Sequence, residues 1–288
     1  MDGCRVSWNH DACLRLLRGG RIERSVNMPE SLKGQVGIIS GGLGDIGRAV
    51  ALEFARRGAD VAIGDVLDEK DARPTLRRIK TLRRNCRYDR VDVRDADAVY
   101  RWVRDVEADL GLPTLIVPNA AVVHLTNVRE LTPEVWRDEL SVNLDGAFYL
   151  AQAATQRLLK KKKPGRVVFI GSWAGHAVHK HIPTYCVSKA GLRMLCQCLA
   201  AELAPHGICV NELAPGYVDA GLSGRFFKAD PELKRQSRAR VPNQQLIDPD
   251  EVARQVAYLC EPEARHYVGA TLVMDGGLSL FGSGGWKE

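Results

Sequence analysis

Tyr185 and Lys189 stand four residues apart in the run Thr184-Tyr185-Cys186-Val187-Ser188-Lys189-Ala190-Gly191. On a helix that spacing puts a phenol and an ammonium on one face, about one turn apart. An ammonium beside a tyrosine hydroxyl favours the phenolate and lowers its pKa, which makes the phenol a proton donor or acceptor near neutral pH. Of the seven tyrosines, only Tyr185 has a lysine four residues on. Two further polar residues stand in apolar surroundings: Ser172, after the run Arg166-Val167-Val168-Phe169-Ile170, and Asn143, between Val142 and Leu144. A tyrosine and a lysine at this spacing also occur on solvated helix faces, so the weight falls on the elements that position them.

The chain has 288 residues, 45% of them hydrophobic, enough for one large α/β domain or two small ones. Its net charge of +6 comes from scattered rather than striped arginines, which argues against a nucleic-acid partner. No apolar run approaches the roughly 18 residues of a membrane helix. The eight cysteines include no CxxC pair, a pattern that predicts reduced thiols in a cytoplasmic protein and no metal site. Residues 1–33 carry Arg5, Arg15, Arg18, Arg21 and Arg24 with few acids. They read as an N-terminal extension, whether a transit peptide, a disordered leader or an over-long start ahead of Met28, and a single domain is expected over 34–288.

A buried strand is expected over 35–40, then the turn Gly41-Gly42-Leu43-Gly44-Asp45-Ile46-Gly47, an amphipathic helix over 48–57 and a second strand over 60–65. Strand, glycine turn, helix and strand form the unit that binds a nucleotide. Glycines let the backbone approach a pyrophosphate, and the helix N-terminus favours its charge. Asp65 closes the second strand 18 residues after Gly47, where a carboxylate accepts from an adenine ribose. Further strands are expected over 88–93, 114–117, 166–170, 208–211 and 270–274. Helices are expected within 70–85, over 96–110, from Pro133 through Asn143 to the Lys160–Lys163 run, from Tyr185 to 204, and over 250–259. The polar, basic segment 220–245 reads as a solvated lid or a pocket for an anionic or polyhydroxylated substrate. The alternation predicts a parallel, doubly wound sheet with ligands at the carboxyl ends of its strands.

With these residues in place, positions 34–280 resemble the short-chain dehydrogenases/reductases. Ser40-Gly41 with Gly47 is similar to the family's glycine turn, and Pro118-Asn119-Ala120-Ala121 to its NNAG segment. Asn143, Ser172, Tyr185 and Lys189 match its catalytic tetrad. Asn211 with Pro215-Gly216 matches the sixth-strand motif, and Asp275-Gly276-Gly277 the usual ending. Three departures stand out. Asp45 replaces a turn glycine, Pro118 replaces an asparagine and lacks an N–H, and Ala220 replaces a threonine hydroxyl. The resemblance implies a Rossmann-like fold of about seven strands with helices on both faces. It implies hydride transfer at a nicotinamide, with Tyr185 exchanging a proton with the substrate oxygen. Ser172 would bind that oxygen, Lys189 hold the ribose and depress the Tyr185 pKa, and Asn143 hold a relay water. The cofactor would lie along Ser40, Gly41, Leu43, Asp45, Ile46, Asp65, Asp92, Val93, Asn119, Ala120, Tyr185, Lys189, Pro215, Gly216 and Val218.

NAD is expected over NADP, because Asp65 would face the NADP phosphate and the neighbouring positions Leu43, Gly44, Asp45, Val66 and Leu67 carry no cation. The expected activity is interconversion of a secondary alcohol and a ketone on a sugar, polyol or similar polar substrate, in the manner of a glucose 1-dehydrogenase. A 3-oxoacyl-thioester reductase is the alternative, and a catalytically silent nucleotide-binding regulator the reading from another class. A homotetramer or homodimer through the helices over 133–160 and 185–204 is also expected.

Overall fold

The computed structural model describes residues 30–281, so the basic segment 1–29 lies outside the described residues. Seven parallel strands form one sheet in the order β3-β2-β1-β4-β5-β6-β7. They are β1 (Val36–Ser40), β2 (Asp60–Asp65), β3 (Cys86–Arg90), β4 (Leu115–Pro118), β5 (Gly165–Ile170), β6 (Ile208–Pro215) and β7 (Thr271–Met274). The order reverses between β1 and β4, and their carboxyl ends open the crevice where doubly wound sheets bind ligands.

Successive strand residues point to opposite faces. Ile39, Val117, Val168 and Ile170 bury against α1 (Asp45–Arg56) and α9 (Pro249–Cys260). Ile38, Ile116, Val167 and Phe169 bury on the other face, against α3 (Ala96–Asp109), α5 (Gly146–Lys161) and α6 (Pro183–Leu203). The near-continuous apolar character of these strands is the consequence of burial on both faces. Two glycines set how closely helix and sheet approach. A Cβ on Gly37 would lie 2.6 Å from the Phe54 ring, and one on Gly64 2.6 Å from the Trp102 ring.

Four expectations need correction. The third strand, expected to reach Val93, ends at Arg90; Asp92 and Val93 follow it in the turn before α3. The helix expected to run unbroken from Pro133 is two helices, α4 (Pro133–Leu140) and α5, joined by a π turn at Ser141–Asp145. The 220–245 segment is largely helical, with α7 (Gly221–Ala229) and α8 (Pro231–Arg240). Finally, packing extends upstream of the boundary placed after residue 33. Leu32 is buried, its N–H donates to the Arg57 carbonyl at 2.8 Å, and Ser31 Oγ donates to Glu261 at 2.6 Å. α2 (Glu69–Thr81) completes the layer beside β2 and β3.

Candidate active site

A cleft of about 1420 Å³ opens along the carboxyl ends of the strands. At its nucleotide end, Gly41 (φ +60°) turns the chain out of β1 against Ala120, whose Cα would lie 2.6 Å from any added Cβ. A Cβ on Gly47 would lie 2.4 Å from the Gly41 carbonyl oxygen. Only glycine fits either place, so the turn closes tightly on the first turn of α1. Ser40 lies beneath it and accepts on Oγ from Asn119 N at 3.1 Å and Ala120 N at 3.3 Å. Asn119 Nδ2 returns two bonds, to the Ser40 and Gly41 carbonyls. These four bonds supply the support that Pro118, lacking an N–H, does not.

Leu43, Asp45 and Ile46 line this end of the cleft, and Asp65 closes it from β2. The Asp65 carboxylate accepts from Leu43 N at 3.0 Å and Leu67 N at 3.3 Å. Arg48, inside α1, reaches toward the Asp71 carbonyl. Arg90, the register partner of Asp65, donates to the Val66 carbonyl and pairs with Asp68 at 3.5 Å. Asp45 accepts from Gly221 N at 2.7 Å, at the start of α7. Asp92, Val93, Asn119, Ala120, Pro215, Gly216 and Val218 also line the cleft. Val93 is pressed against Gly146, where an added Cβ would sit 2.6 Å from it.

At the other end stand the expected chemical groups. Pro183 begins α6 at a position that needs no N–H donor, and one turn of that helix separates Tyr185 from Lys189. Lys189 is only 2% exposed; its Nζ donates to the Ile170 carbonyl at 2.8 Å and lies 5.5 Å from the centroid of the Tyr185 ring. Ser172 follows β5 and accepts on Oγ from Ala174 N at 3.2 Å, which leaves its own proton free to donate. Tyr185, Lys189 and Ser172 all line the cleft. Asn143 and Ser40 do not. The π turn aims the Asn143 side chain at the β4–α4 loop, where it accepts from Val122 N at 2.8 Å and donates to the Val122 carbonyl at 2.9 Å and to Ser188 Oγ at 3.2 Å. With both ends of the amide committed, its side chain fixes one wall of the cleft.

The electrostatics differ from the expectation that Lys189 depresses the Tyr185 pKa. The ammonium is turned to the Ile170 carbonyl and lies over the ring rather than at the hydroxyl. Burial pushes the phenol up to about 12; the Ser172 hydroxyl opposes this by hydrogen bonding, and Glu139 and Cys186 add to the rise. Burial also lowers the Lys189 ammonium to about 8, against the pull of Glu212 and Glu139.

An aromatic wall is the part that sequence reasoning missed. Trp173 meets Tyr217 edge-on at 5.5 Å, and Tyr217 meets Phe227 at 6.4 Å. The available signal was position: Trp173 follows Ser172 directly, and Tyr217 follows Pro215-Gly216. His124, His179, Lys180, His181 and Arg240 add a basic rim. Among the described residues, no three His, Cys, Asp or Glu side chains are placed to hold a metal ion, and no helix is long and apolar enough to cross a membrane.

A parallel sheet with a glycine turn, an acid at the end of β2 and a tyrosine–lysine pair in one crevice defines a dinucleotide-binding oxidoreductase site. The family model described as enoyl-(acyl carrier protein) reductase matches residues 42–279. The L-rhamnose-1-dehydrogenase of Scheffersomyces stipitis is 32% identical over 250 residues, covering 86% of this chain and 96% of that protein. The 3beta-hydroxysteroid dehydrogenase 1 of Eggerthella lenta is 30% identical, covering 88% and 97%. A solved protein from Agrobacterium tumefaciens with bound NADP superposes with a TM-score of 0.80 at 28% identity, covering 87% and 98%. The chain belongs to the short-chain dehydrogenase/reductase family. It is accordingly a nicotinamide-dependent oxidoreductase acting on CH–OH groups.

Proposed function

We propose that the chain is an NAD-dependent dehydrogenase of polar secondary alcohols, of the sugar or polyol class. The observation that carries this reading is the convergence of Tyr185, Ser172 and Lys189 on one cleft whose far wall is aromatic and whose rim is basic. Sugar rings suit such a lining, with apolar faces for the aromatics and hydroxyls for the histidines and Lys180. The likeness to an L-rhamnose-1-dehydrogenase supports the same class.

A nicotinamide held in the crevice by the glycine turn, Asp65 and Lys189 would supply the hydride acceptor for alcohol oxidation. Tyr185, as the phenolate, takes the hydroxyl proton, and as the phenol returns it when a ketone is reduced. Ser172, one of whose lone pairs takes the Ala174 N–H, donates its proton to the substrate oxygen and stabilises the developing charge there. Lys189 spends one N–H on Ile170 and has two left for the ribose hydroxyls. Asn143 keeps the β4–α4 wall in place through Val122. Ser40 and Asn119 hold the glycine turn, and Asp65 accepts from the adenine ribose.

NAD is preferred because the Asp65 carboxylate would face the extra phosphate of NADP. Two unit charges about 4 Å apart interact by roughly 4 kcal/mol at an effective dielectric of about 20. The cations nearest Asp65 have other partners, Arg48 at Asp71 and Arg90 at Asp68 and Val66. Turnover with both nicotinamides over sugars, polyols, hydroxysteroids and a 3-oxoacyl thioester tests the proposal. NAD-linked oxidation of a sugar or polyol is the expected result; equal efficiency with NADP, or turnover of the thioester alone, overturns it.

A further inference from the structure

Glu139 stands on α4 one turn before Asn143, and the two share the face that packs toward α6. It is 0% exposed, and the one donor that approaches its carboxyl oxygens is the His124 backbone N–H, outside good hydrogen-bond geometry. A carboxyl buried with so little compensation destabilises a fold, and an apolar side chain of similar size would not. The groups within its electrostatic reach include the tyrosine–lysine pair.

His124 acts on it from the β4–α4 loop, Asp138 from α4 itself, and Lys189 from α6. In turn its charge raises the Tyr185 phenol, the Cys186 thiol and the Lys189 ammonium, all on α6. Glu212 reaches the same Lys189 from β6. A carboxylate here therefore holds protons on both members of the tyrosine–lysine pair. Burial pushes Glu139 itself up to about 7, although His124 and Lys189 pull the other way. Its charge thus switches within the range where the pair must work.

We propose that Glu139 is a positioning residue for proton transfer: a buried carboxyl that acts through Tyr185 and Lys189 and sets the pH range over which they serve the substrate. The inference rests on the oxidoreductase reading of that pair.

The test compares the native protein with Glu139→Gln, Glu139→Leu and Glu139→Asp. In alcohol oxidation at saturating NAD, the rising limb of the kcat profile moves to lower pH by about half a unit to one unit in the Gln and Leu variants, with KM little changed. The Asp variant keeps the native profile. Melting supplies a readout that needs no turnover. A carboxyl raised from 4.5 to about 7 in the folded state contributes stability that is present below its unfolded value and lost as pH rises through about 7. The melting temperature of the Gln variant should therefore pull ahead of the native protein by a few degrees, roughly 3 °C or more, between about pH 5 and pH 8. Superimposed rate profiles, or a melting gap that does not change with pH, overturn the role of Glu139 while leaving the oxidoreductase reading intact. A native protein that oxidises no alcohol overturns that reading, and the role with it.

Discussion

With its phenol pushed up to about 12, Tyr185 is protonated at neutral pH. It can donate to a ketone at once, whereas accepting from an alcohol requires the phenolate. Alcohol oxidation should therefore rise between about pH 7 and pH 9, approaching tenfold per unit, while ketone reduction stays flat or falls. Rates measured in both directions across that range check the sign; an oxidation rate independent of pH would remove the assigned role. Tyr185→Phe should lower turnover by at least about 100-fold and leave cofactor affinity within a few-fold, because the hydroxyl and not the ring carries the proton. The residues proposed for this chemistry were legible in the sequence because the Tyr185–Lys189 spacing stood among strand–helix units that placed it, and because Ser172 and Asn143 matched the family's motif. Glu139 was not. An acid four residues before a buried Asn143 was the signal, but the alternative of a solvated face had equal claim until burial was seen.

The strand–turn–helix–strand unit at 35–65 was legible because glycines and apolar runs mark its ends. The π turn at Ser141–Asp145 was not, since one extra residue barely disturbs a helical hydrophobic pattern. α7 and α8 read in the sequence as a solvated lid or a substrate pocket rather than as helices, because Lys and Arg dilute their apolar stripe. Asp230-Pro231 is nonetheless the same start signal as Thr132-Pro133, and the Asp230 side chain does cap α8 through Leu233 N. Close packing between elements gives a further test. A Cβ on Gly171 would lie 1.8 Å from Glu212 Oε1 on the adjoining strand. Gly171→Ala should destabilise the fold by about 1–3 kcal/mol in urea denaturation, and adding Glu212→Ala should return part of the loss. An unchanged midpoint in the single variant would show that the Glu212 side chain moves aside freely.

As a whole molecule the chain exposes Val187 and Met194 on α6, 48% and 57% accessible and two turns apart. We expect copies of the chain to pair through this face and α5 as a homotetramer or homodimer. Sedimentation at micromolar concentration should give a species larger than a monomer, and Met194→Lys should shrink it. Deleting residues 1–27 should leave fold and activity intact, because Leu32 and its bond to the Arg57 carbonyl remain; loss of soluble protein would contradict this. The bond from Gly221 N to Asp45 joins residues 176 positions apart, one in the glycine turn and one at the start of α7, whose Leu222, Ser223 and Phe227 line the substrate end. A pyrophosphate held at the α1 N-terminus would lie beside that same carboxylate and, by repelling it, would act on α7 as well. Thermodynamic linkage makes the effect mutual: the factor by which the nicotinamide cofactor changes affinity for an alcohol is the factor by which the alcohol changes affinity for the cofactor. Titrating each ligand in the presence of the other should yield one shared factor, and Asp45→Ala should bring that factor toward unity.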